Sequence, residues 1–126
     1  MLKTFRSYHL AVALYRECEF LRPRGHLKDQ LLRASLSVVL NLAEGSAKAT
    51  VKDRQKFYRI AFGSLREVQA ILSLVRAHKI EDLADHLAAC LYRLTHADPL
   101  RPPVPEPDPR CPLPESPKQH LNLKRH

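Results

Sequence analysis

The chain has 126 residues, enough for one domain, and carries 21 Lys and Arg against 13 Asp and Glu, a formal net charge of +8. The basic balance favours anionic partners, such as nucleic acid or acidic proteins. Three cysteines, Cys18, Cys90 and Cys111, cannot all pair within one chain, which argues for free thiols and against a disulfide-built scaffold.

Proline and glycine punctuate the chain unevenly. Of ten prolines, nine lie between Pro99 and Pro117, and none interrupts the stretch from Arg24 to Asp98. There are three glycines, and Gly25 and Gly45 fall where helices should begin or end. This pattern predicts an all-α antiparallel up-down four-helix bundle over residues 1–97 and a disordered proline-rich tail over 98–126. Lys3 and Arg6 before the apolar Leu10 to Tyr15 look like the start of a signal peptide. Arg16, Glu17 and Glu19 follow at once, however, and no small-residue cleavage site appears. The longest uncharged run of the body, Ala34 to Ala43, is too short to span a bilayer, so the expectation is a cytoplasmic protein with no membrane contact.

The first helix is expected from Ser7, as N-cap, to Leu21, with Tyr8, Ala11, Val12, Tyr15 and Cys18 on one face. Arg22-Pro23-Arg24-Gly25 makes the first turn. The second helix is expected from His26 to Glu44. It carries only Arg33 as a charge between Leu31 and Ala43 and must be buried on most sides, with Gly45 in a left-handed position after its end. The third is expected from Val51 to Ala77, about 40 Å long, opened by a Thr50-x-x-Asp53 capping pattern. Phe57, Ile60, Ala61, Ser64, Val68, Ile71 and Val75 form its expected core stripe. Tyr58, Phe62, Leu65 and Leu72 form a second apolar line, expected to pack against another subunit. The fourth helix is expected from Glu81 to His96, with Leu83, Ala84, Leu87, Leu91 and Leu94 inward and acids in its first turns. From Pro99 onward the sequence favours extended polyproline II, as a linker, a partner-docking tail or a stretch with no role of its own, the last reading being preferred.

Polar residues beside the apolar stripes have two readings. Arg33, Asn41, Glu44, Ser64 and Glu67 form either a ligand site or a structural polar network between the second and third helices; the structural reading is preferred. Gly63, inside a helix, is expected to permit close approach of a neighbouring helix. Asp82, His86 and Cys90 recur every four residues, but no second ligand set accompanies them, so no metal site is expected. No nucleophile elbow, phosphate loop or zinc knuckle occurs. The expectation is therefore no catalytic residue, no cofactor and no enzyme activity.

The core stretch resembles the 23S rRNA intervening-sequence protein family, whose helical relatives include accessory factors of diversity-generating retroelements. The resemblance is carried by Leu31-Leu32-Arg33-Ala34, Ser37-Val38 and Asn41-Leu42-Ala43-Glu44-Gly45. It continues in Phe57, Ala61-Phe62-Gly63-Ser64-Leu65 and Glu67, with Phe5 and the helix after it. Val39-Leu40 stands where the family often has Pro-Ser, and Phe62 where it often has Arg. The resemblance implies a four-helix bundle without a catalytic centre, assembled as a homopentamer, with nucleic acid as a partner in the retroelement branch.

The candidate functional surface is basic. Lys48, Lys52, Arg54, Lys56, Arg59 and Arg66 gather around the corner between the second and third helices and along the third. Such a strip contacts phosphates through counterion release with little sequence information. The favoured reading is a homo-oligomeric scaffold that binds RNA or DNA through this strip. The alternative is a protein-interaction adaptor whose apolar faces and tail engage a protein partner.

Overall fold

The computed structural model describes residues 5–96. The proline-rich segment, Cys111 within it and the expected boundary at 97/98 lie outside the described residues. Four helices follow in chain order: α1 (Arg6–Phe20), α2 (Leu27–Ser46), α3 (Val51–Leu74) and α4 (His78–Thr95). Among the described residues there is no strand. Each helix packs against the next, and α4 closes against α1, which makes an up-down four-helix bundle.

Apolar residues three and four apart build one core. Ala11, Leu14 and Cys18 come from α1, and Leu31, Ala34, Val38 and Leu42 from α2. Tyr58, Ala61, Leu65, Val68 and Leu72 come from α3, and Ala84, Leu87 and Leu91 from α4. Burial pushes the Cys18 thiol up to about 11, against a hydrogen bond from Ser35 and the charge of Lys28, so it stays protonated at neutral pH.

The second apolar line of α3 is not a second face. Tyr58, Leu65 and Leu72 are buried in the chain's own core and offer no surface to another subunit. The two expected lines are halves of a single wide arc, which a helix packed between two neighbours requires. Ile60, expected inside, is 45% exposed. Phe62 is the one member of that line left partly exposed.

Helix ends differ from expectation for local reasons. The His9 N–H donates to the Phe5 carbonyl at 3.2 Å, so α1 starts before Ser7, and Ser7 joins the buried face with Ala11 and Leu14. At the start of α3, the Asp53 N–H donates to Thr50 Oγ1 at 3.1 Å, the expected cap. The helix stops at Leu74 because Arg76 takes a left-handed φ of 58° and the Ala77 N–H closes on the Leu72 carbonyl at 3.1 Å. At the α1–α2 turn the Lys28 ammonium donates to the carbonyls of Glu19 and Leu21, placing a cation on the C-terminal end of α1.

Neither helical glycine has the role expected of it. Gly45 lies inside α2, buried, with no positive φ. A Cβ there would come 2.7 Å from Cε1 and 3.0 Å from Cδ1 of Tyr58, and 3.1 Å from Cβ of Phe57. It is therefore Gly45, not Gly63, that permits close approach of a neighbouring helix. Gly63 is exposed, with open space around its Cβ position. The two alanine substitutions should have opposite signs: Gly45→Ala destabilises by about 1–3 kcal/mol through overpacking, and Gly63→Ala stabilises by about 1 kcal/mol through helix propensity. Urea unfolding followed by circular dichroism measures both, and equal effects would contradict this assignment.

Candidate nucleic-acid interface

The six cations proposed from the sequence divide into two groups. Arg54 turns inward to the α2–α3 corner, where its Nη1 donates to the carbonyls of Lys48 at 2.9 Å and Ala49 at 3.2 Å. Lys48 is held by Glu44 at 2.9 Å, one turn back on α2, and lies over the Phe57 ring at 5.1 Å. These two shape the corner. Lys52, Lys56, Arg59 and Arg66 are exposed, and none is ion-paired among the described residues. At spacings of four, three and seven they share one outer face of α3, with Gly63 between Arg59 and Arg66. Lys56 lies 5.7 Å from the Phe57 ring centroid, and Arg66 5.9 Å from that of Phe62.

The expected polar network is smaller than proposed and centred elsewhere. Ser37 Oγ and Ser64 Oγ meet at 2.8 Å across α2 and α3. Asn41 Nδ2 donates to the Ser37 carbonyl at 2.9 Å and to Ser37 Oγ at 3.1 Å. Asn41 and Ser64 therefore belong to it through Ser37, which the sequence reading left out. Glu44 is committed to Lys48, while Arg33 and Glu67 are exposed and stand outside the network. Among the described residues, no pair of carboxylates converges there for acid–base chemistry.

His86 and Cys90 are buried, whereas Asp82 is exposed, and among the described residues no group of three or more His, Cys, Asp or Glu could hold a metal ion. An open cavity of about 390 Å³ lies at the α1–α2 turn, lined by Leu21, Pro23, Leu27, Leu74 and Val75 with Arg22 and Arg24. It brings together no nucleophile and base. No helix among the described residues is long and apolar enough to cross a membrane.

The sequence reading also missed an aromatic group beside the basic strip. Phe62 meets Tyr92 edge-on, with ring centroids 6.4 Å apart, and Tyr92 stacks on His96 at 3.9 Å. Their signal was the i, i+4 spacing of Tyr92 and His96 on the outer side of α4. Tyr58, between Phe57 and Arg59 in the chain, is buried and takes no part in this group.

A family model described as 23S rRNA-intervening sequence protein matches residues 4–95, which takes in all four helices. The chain belongs to this family. No curated protein and no solved structure gives a significant match. In this family member, α3 is the helix that both completes the core and carries the row of exposed cations.

The division of the cations has a measurable consequence. Arg54→Ala leaves two corner carbonyls without their charged donor and should cost about 1–2 kcal/mol of stability. Lys56→Ala, on the exposed face, should stay within about 0.5 kcal/mol of the parent. Paired urea titrations check this, and equal losses would return Arg54 to the surface group.

Proposed function

We propose that this 23S rRNA-intervening sequence protein is a non-enzymatic, homo-oligomeric scaffold that binds nucleic acid through phosphate contacts along α3. One observation carries the reading: Lys52, Lys56, Arg59 and Arg66 are exposed on a single helix face, with no ion-paired acid among the described residues. The row runs over about 21 Å at 1.5 Å per residue, long enough to follow several phosphates of one strand. Gathered on one rigid helix, the four charges act together, whereas Lys48 and Arg54 are engaged at the corner.

Subunit association gives the strip its strength, because repeated weak contacts combine through effective concentration. The exposed apolar residues Leu36, Leu40 and Ile60, on the two helices that form the corner, supply a contact surface for a second copy. A homopentamer is the subunit number the family resemblance implies. The same three residues favour the second reading, an adaptor for a different protein.

The test is binding of RNA and DNA over a salt series, alongside mass by light scattering. Replacing Lys52, Lys56 and Arg59 together by glutamine should weaken binding and lower the slope of log K against log salt by about 2.7 on a duplex. An unchanged slope, or a chain that is monomeric at all concentrations, would contradict the proposal.

A further inference from the structure

The row of cations on α3 does not stand alone. Beside it, across the groove to α4, four side chains touch in sequence. The Arg66 guanidinium lies 5.9 Å from the Phe62 ring centroid. Phe62 meets Tyr92 at 6.4 Å and an interplanar angle of 62°. Tyr92 stacks on His96 at 3.9 Å and 24°. The imidazole is held in that plane by its Nδ1, 2.9 Å from the Tyr92 carbonyl and 2.8 Å from Thr95 Oγ1. Helices α3 and α4 run antiparallel, with Phe62 opposite Tyr92 and Gln69 bonded to Asp85 at 2.7 Å. This register places Arg59, one turn before Phe62, opposite the end of α4 that carries His96. Asp85, on this side of α4, accepts from Gln69 Nε2 two turns away from the stack, and Gln69 Oε1 accepts from Arg66 at 3.3 Å.

Tyr92 is 55% exposed, whereas Tyr58 is buried in the core. An exposed aromatic pair flanked by guanidinium groups has a definite complement: a flat π-face joined to phosphate. We propose that the Tyr92–His96 stack, buttressed by Phe62 and flanked by Arg59 and Arg66, is a platform on which an unpaired base of single-stranded nucleic acid stacks. The inference rests on the phosphate-binding reading of α3 and specifies the form of nucleic acid that the surface takes. Cations on α3 follow the backbone, and the aromatic stack on α4 receives a base. Every base offers a π-face, so the platform is tolerant of sequence. In a duplex those faces are already stacked on one another, so a duplex engages the cations alone.

The experiment uses the full chain and fluorescence anisotropy with a labelled single strand and its duplex. Tyr92→Leu removes the π-face and keeps an apolar contact to Phe62; Tyr92→Phe restores the ring; His96→Ala shortens the stack without touching the Phe62 packing. Tyr92→Leu and His96→Ala should each raise the single-strand Kd by about tenfold, leave the duplex Kd unchanged, and retain the parent circular dichroism spectrum. Tyr92→Phe should bind as the parent does. The proposal is overturned if Tyr92→Leu and His96→Ala bind the single strand as tightly as the parent, or lose single strand and duplex equally. If those variants change nothing while the glutamine replacement of Lys52, Lys56 and Arg59 weakens both forms, the strip stands and the platform falls. If neither form binds the parent at low salt, both readings fall.

Discussion

The structure turns on the place of one ring. Tyr58 fills the space that Gly45 leaves on α2, so close that any Cβ at position 45 would come within 2.7 Å of it. The ring also meets Phe5 at 5.9 Å, the N-cap residue of α1. One side chain of α3 thus joins the start of α1, the end of α2 and the start of its own helix. Interiors packed at crystal-like density do not deform to admit an extra methyl group without cost. The contact therefore fixes how near α2 and α3 lie at the corner and how α3 is turned about its axis.

That rotation decides the surface. With Tyr58, Leu65 and Leu72 inward, Lys52, Lys56, Arg59 and Arg66 are left outward. The Ser37–Ser64 hydrogen bond fixes the same register farther along the pair. Arg54, on the inner side, is drawn to the carbonyls of the corner and serves the turn. A rotation of α3 by one residue would send the cations toward the core and the apolar arc into solvent. Core packing and surface charge are thus two consequences of one helix orientation, and glycine at 45 allows it.

Much of this was legible in the sequence where the determinant is local. The Thr50–Asp53 cap, the turn around Gly25 and the periodicity that defines four helices depend on neighbours a few residues apart. What was misread depends on partners distant in the chain. The sequence shows two helical glycines but not which one faces a ring, so the close approach expected at Gly63 is found at Gly45. It shows two apolar lines on α3 but not that Tyr58, Leu65 and Leu72 are consumed by the chain's own core, so these three were assigned to a subunit contact. Charge alone also did not separate Arg54 and Lys48, occupied at the corner, from the four exposed cations. Ser37 was visible as a residue but gained its role only through Ser64, twenty-seven positions away. The Tyr92–His96 pair was readable as an i, i+4 spacing, yet its position beside Arg66 and Phe62 requires the register of α3 against α4.

The central claim is that the outward face of α3 is the surface that meets nucleic acid. The most direct measurement is NMR mapping of backbone amide shifts in the full chain on titration with a short oligonucleotide. The account predicts the largest changes at Lys52, Lys56, Arg59, Gly63 and Arg66, with the outer face of α1 unmoved. Changes concentrated instead at Arg22 and Arg24 on the α1–α2 turn, or spread evenly over all four helices, would contradict it.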